Sequence, residues 1–131
     1  MKLILYTDGA ARGNPGPAAI GIVLTDSTGR RIEELGEAIG HTTNNEAEYR
    51  ALLRGLEIAG KHSDEIEIRT DSELMARQIN GAYRVKATHL KPLHEQARRA
   101  MAKFKRATIW IIPRELNTRA DALANQALDQ K

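Results

Sequence analysis

Cysteine is absent from this 131-residue chain, and aromatic residues make up only 4% of it, with one Trp and one Phe. Without cysteine, neither a disulfide framework nor a thiolate metal site is available, which fits a reducing compartment. No apolar run approaches the roughly 20 residues needed to cross a bilayer, and the N-terminus lacks the pattern of a secretory signal. Residues 2–6 are too few for a signal's apolar stretch and read as a first β-strand. The sequence therefore predicts a soluble, cytoplasmic protein with no membrane partner. Its length suits one domain, residues 1–131, able to bury a real core. No internal repeat, low-complexity tract or linker interrupts it.

What is present is charge, unevenly spread. The net charge is only +3. Between Arg84 and Arg106, however, eight basic residues face one acid, Glu95, so that segment carries +7. The remainder, with 12 basic against 16 acidic residues, carries −4. A basic stretch beside an acidic cluster suits a polyanion gripped at one place and attacked at another, although a charge run alone also describes a solvated helix face.

Periodicity lays out the elements. Leu3–Thr7 reads as a strand, followed by a Gly/Pro turn from Gly9 to Pro17. Ala18–Thr25 and Arg31–Gly40 form a hairpin around Asp26-Ser-Thr-Gly29. A helix runs from about Asn45 to Gly60, with Ala47, Ala51, Leu52, Gly55 and Ala59 along one side. Glu65–Thr70 alternates as a strand, and Glu73–Asn80 is a short helix ended by Gly81. Leu90–Phe104 reads as a basic amphipathic helix with Pro92 in its first turn, Ala107–Ile112 as a strand, and Thr118–Leu128 as a last helix. The fold class is α/β: a five-stranded mixed sheet, an antiparallel meander followed by two strands that helical crossovers bring parallel to the first.

Four carboxylates stand out against this layout: Asp8, Glu48, Asp71 and Asp121. Asp8 and Asp71 share a local pattern, a β-rich apolar run, then Thr-Asp, then a small residue. If those runs are neighbouring parallel strands, both acids emerge at the sheet edge where open α/β folds carry their sites. Glu46 fits a capping box with Thr43 and stands four residues before Arg50, so it reads as structural. Glu48 shares the apolar side of its helix, where a carboxylate is costly without a partner. Capping also offers a plain account of Asp71 and of Asp121, three residues after Thr118, and a turn role one of Asp8. What these accounts leave unexplained is the convergence of all four.

Acids without cysteine or clustered histidine define an oxygen-only ligand set, suited to Mg²⁺ or Mn²⁺ rather than zinc. A pair of such ions hydrolyses phosphodiesters without any nucleophilic side chain. Nearby, the Gly9–Gly16 loop exposes backbone and Asn14, while Thr43, Asn44 and Asn45 present groups suited to phosphate or a ribose 2′-OH. His41 precedes them, and turn or cap chemistry accounts for these residues equally well on its own.

The chain from about Leu3 to Leu128 closely resembles type 1 ribonuclease H. Four motifs carry the likeness: Tyr-Thr-Asp-Gly-Ala-Ala-Arg-Gly-Asn-Pro-Gly-Pro at 6–17, Thr-Thr-Asn-Asn-Glu-Ala-Glu-Tyr at 42–49, Thr-Asp-Ser at 70–72 and Asn-Thr-Arg-Ala-Asp-Ala-Leu-Ala at 117–124. The resemblance implies the ribonuclease H fold and metal-dependent cleavage of the RNA strand of RNA–DNA hybrids, with 5′-phosphate and 3′-hydroxyl products. It implies that Asp8, Glu48, Asp71 and Asp121 are the catalytic metal ligands, holding two Mg²⁺ ions with substrate, with Mn²⁺ as a substitute. It further implies that Gly9, Asn14, Asn44 and Asn45 contact the RNA strand and Thr43 a DNA-strand phosphate.

This chain also departs from many members. Only Ala82–His89 stands where a long basic, Trp-bearing protrusion is common. Pro113–Asn117 lacks the His often found there, leaving Arg114 or Glu115 as substitutes, and His41 and Ala87 stand where the phosphate pocket often has Arg and Asn. A monomer needing no protein partner is expected. The alternatives are a non-catalytic hybrid-binding module, and a nuclease of the same superfamily acting on double-stranded RNA or DNA junctions.

Overall fold

The computed structural model describes residues 1–130. Three long strands, β1 (Lys2–Ala11), β2 (Gly16–Asp26) and β3 (Arg31–Thr42), form the antiparallel meander. Helix α1 (Asn44–Ala59) leads to β4 (Glu65–Thr70), and α2 (Glu73–Ile79) and α3 (Lys91–Ala102) lead to β5 (Arg106–Ile111). A single 3₁₀ turn, Arg114–Leu116, precedes α4 (Thr118–Asp129). The sheet order is β3-β2-β1-β4-β5, with β1, β4 and β5 parallel. This is the expected mixed sheet.

Alternation along the strands sorts the faces. Leu3 and Leu5 of β1, Ile22 and Leu24 of β2, and Ile66 and Ile68 of β4 are fully or almost fully buried, and join Leu52 and Leu56 of α1 in the main core. Burying each such side chain contributes about 1.5–3 kcal/mol. Tyr49 ties the helices of this layer together, its hydroxyl donating to Gln78 Oε1 at 2.6 Å. The opposite face is covered by α4, whose small residues Ala120, Ala124 and Ala127 are buried.

Two sequence-based expectations change here. The predicted Gly9–Pro17 turn is mostly strand: β1 and β2 continue pairing as far as Ala11 and Ala18, leaving only residues 12–15 between them. Gly9 is there because α1 presses on it: a Cβ at this position would lie 2.3 Å from the Ala47 carbonyl carbon. The capping box forms by half. Thr43 Oγ1 accepts from Glu46 N at 3.2 Å, while Arg50 donates to Ile39 O rather than pairing with Glu46.

Candidate active site

Pairing between β1 and β4 stops at Tyr6 and Arg69, so Asp8 and Asp71 lie just past the last paired residues of two adjacent parallel strands. Asp71 is not a helix cap. Ser72 takes that role, its Oγ accepting from Met75 N at 3.3 Å, and Ser72 N is held by Thr70 Oγ1 at 3.0 Å. The Asp71 side chain is thereby released toward Asp8. Glu48 arrives from the second turn of α1, with Oε1 accepting from Gly9 N at 2.8 Å. Asp121 arrives from the first turn of α4.

Asp8, Glu48 and Asp71 each offer an oxygen within 4.8 Å of the other two. Asp121 stands beside this trio, lining the same cleft of about 400 Å³ with Gly9, Asn44, Arg12 and Arg114. Such crowding is costly while the acids are charged. Asp8 is only 5% exposed, and burial, then the charges of Asp71 and Asp121, push its carboxyl up to about 8. Burial, then the charge of Asp8, likewise raises Glu48 well above the ordinary range, against the lowering effect of the Gly9 amide. Asp8 Oδ2 is buried with no hydrogen-bond partner. A divalent cation is the group that this oxygen and this surplus of negative charge accommodate.

The other expected residues are distributed less evenly. Asn44 reaches the cleft but is also structural, its Oδ1 accepting from Ala11 N at 2.9 Å. Asn14 Oδ1 accepts from Asn44 N at 3.0 Å, joining the β1–β2 loop to the start of α1. Both side-chain amides keep their donors. Thr43 serves as the α1 cap, and Asn45 is exposed beside it without lining the acidic cleft. His41 lies elsewhere, in a shallow groove with Pro17 and Leu128. In the loop without histidine, Arg114 rather than Glu115 lines the cleft.

Two residues were not singled out from sequence. Gly21 pairs with Asp8 across the β1–β2 ladder, and a Cβ there would lie 1.8 Å from Ala120 O. It thus lets α4 settle against the sheet, with Asp121 opposite Asp8. The signal was a glycine in mid-strand, a mark of close backbone approach. The second is Asn117, which donates from Nδ2 to Thr7 O at 2.9 Å and to Asp71 Oδ1 at 3.1 Å.

A mixed sheet of this order, with acids gathered just beyond the last β1–β4 pair, defines the ribonuclease H fold. A family model described as reverse transcriptase-like matches residues 6–127. The chain is 47% identical over 125 residues to a ribonuclease HI of Halobacterium salinarum, a match covering 95% of this chain and 63% of that protein. It superimposes on the crystal structure of RNase H1 from Halobacterium salinarum NRC-1 with a TM-score of 0.96, at 45% identity over 98% of each chain. LC11-RNase H1, solved in complex with an RNA/DNA hybrid, aligns at a TM-score of 0.93 and 46% identity over 97% of this chain and 96% of that one. The chain belongs to the type 1 ribonuclease H family. It spans a little under two thirds of the length of the halophile's curated protein.

Proposed function

We propose that this protein is a metal-dependent endonuclease that hydrolyses the RNA strand of RNA–DNA hybrids, largely without regard to sequence, leaving 5′-phosphate and 3′-hydroxyl ends. The observation that carries this reading is the Asp8–Glu48–Asp71 cluster, with its unpartnered Asp8 Oδ2, in a fold whose relative LC11-RNase H1 was solved with an RNA/DNA hybrid. Asp8, Glu48 and Asp71 would hold Mg²⁺, with Asp121 completing a second ion once substrate is present. Bound there, the ions supply an activated water and stabilise the leaving oxygen of the phosphodiester.

The chain's own groups prepare that chemistry. Gly9 N holds one oxygen of Glu48 and leaves the other for metal or for the RNA. Arg12 and Arg114 put positive charge on the cleft wall beside the four acids. Gly9, Asn14, Asn44 and Asn45 read the RNA strand: a 2′-OH is both donor and acceptor, and the free amide donors of Asn14 and Asn44 match its oxygen. Thr43 contacts a phosphate of the DNA strand, which is held by position rather than by base identity. The exposed basic residues between Arg84 and Arg106 add sequence-independent grip.

The test is a comparison of substrates. Labelled RNA–DNA hybrid, double-stranded RNA and double-stranded DNA are each incubated with Mg²⁺, Mn²⁺ or EDTA. Cleavage of the hybrid's RNA strand alone, abolished by EDTA, is expected. Binding without cleavage would make the chain a hybrid-binding module instead, and preferred cleavage of double-stranded RNA would make it a nuclease of a different specificity.

A further inference from the structure

Asn117 is one of the largest fully buried side chains, 1% exposed, and its Oδ1 has no hydrogen-bond partner. It occupies the N-cap position of α4, where an Asn side chain ordinarily accepts from the first turn's free N–H groups, yet it makes no such bond. Its amide is turned away from its own helix. The two Nδ2 protons go to Thr7 O and Asp71 Oδ1, partners 110 and 46 residues away in sequence. Forgoing a cap and leaving a buried acceptor unpaired both cost stability, so the arrangement exists for its donors.

We propose that Asn117 is a positioning residue that sets the spacing of the acid cluster for divalent metal. The inference rests on reading that cluster as a metal centre. Three of the four acid-bearing segments meet at this one residue. Thr7 carries the carbonyl immediately before Asp8, and it lies just beyond the last β1–β4 pair. Asp71 is held directly through one oxygen, which fixes its rotamer and leaves the second oxygen for an ion. Asp121 is tied through the main chain, its N–H donating to Asn117 O at 3.1 Å. An amide suits the task because it donates twice without adding charge. A carboxylate in its place would lose both donors and put a fifth negative group beside Asp71, while an apolar residue would leave Thr7 O and Asp71 Oδ1 without donors.

Two variants of the full chain, Asn117→Asp and Asn117→Ala, test this by titration with Mg²⁺ or Mn²⁺ alone in a calorimeter, alongside steady-state cleavage. Groups that orient metal ligands typically change metal affinity or activity by about 10–100-fold when lost. That weakening of metal binding is expected in both variants, with a parallel fall in kcat and a KM for hybrid within about twofold of wild type. Folded variants whose metal affinity and kcat stay within about twofold of wild type would overturn the proposal. The metal titration needs no cleavage, so a wild-type protein that binds metal here but cuts no hybrid refutes the proposed function and leaves this inference standing. Should either variant fail to fold, NMR of the unaltered protein decides. The Asn117 side-chain amide resonances should move on addition of Mg²⁺ and again in Asp71→Asn, and resonances that stay fixed in both would overturn the assignment.

Discussion

At the scale of single residues, Asp8 has the most to lose and the most to give. Its carboxyl is pushed up to about 8, chiefly by burial and then by Asp71 and Asp121. In the unfolded chain it would titrate near its ordinary value of 3.8. Between these limits the folded state holds a proton that the unfolded state has released, so the metal-free protein loses stability as pH climbs from near 4 toward about 8. Glu48 acts in the same direction. Asp8→Asn removes the burden. Thermal melts in EDTA at pH 8 should show the variant more stable than wild type by about 1 kcal/mol or more, with a flatter dependence on pH. Wild-type affinity for Mg²⁺ should rise over the same pH range, because binding displaces protons. The same substitution should lower hybrid cleavage by more than about a thousandfold, or about 4 kcal/mol of transition-state stabilisation, while hybrid binding persists. A variant that is both less active and less stable in EDTA would show that Asp8 is structural.

At the scale of elements, what was legible depended on where each residue's partners lie. Helix α1, strand β4 and helix α2 came through nearly to the residue because periodicity and caps are local signals. Thr43 caps α1 as its side chain suggests, while at α2 the cap is Ser72, one residue after the Asp71 that the sequence offered. The Gly9–Ala11 stretch did not, because its composition reads as a turn and the ladder that makes it strand lies across the hairpin on Ala18–Ile20. The four acids were legible as a set because the sequence puts two after Thr at the end of apolar β-rich runs and two near helix starts, although β1 in fact continues past Asp8 to Ala11. Their supports were not: Gly21 takes its meaning from Ala120, and Asn117 from Thr7 and Asp71, all remote in sequence. The close approach at Gly21 has a consequence. In Gly21→Ala the new methyl overlaps Ala120 O, so α4 must shift outward, carrying Asp121 from Asp8. A loss of about 1–3 kcal/mol in chemical unfolding, together with a lower kcat, is expected. Unchanged stability would mean that α4 does not press on β2 as described.

At the scale of the whole molecule, the surface divides the work. The acids gather where β1 and β4 stop pairing, and the eight basic residues of 84–106 are all exposed. Two of these sit in ordinary surroundings, Arg99 paired with Glu95 at 2.5 Å one turn away and Arg106 at the start of β5. Arg98 on α3 and Lys103 just after its end are exposed, with no burial to explain them. Replacing both with Gln should raise KM for hybrid and reduce the slope of log affinity against log salt by about one for each phosphate no longer neutralised, with kcat unchanged. An unaltered slope would confine hybrid binding to the acidic cleft and its loops. The mixed sheet was legible at this scale because the order of elements leaves few right-handed topologies.

The central claim is that Asp8, Glu48, Asp71 and Asp121 together seat divalent metal. Anomalous diffraction from crystals soaked in Mn²⁺, with and without a bound hybrid, tests it most directly. A peak bounded by the carboxylates of Asp8, Glu48 and Asp71 is predicted in the free protein, and a second between Asp8 and Asp121 once hybrid is bound. A cleft without a peak at Mn²⁺ concentrations that support cleavage, or metal bound only elsewhere on the surface, would contradict the account.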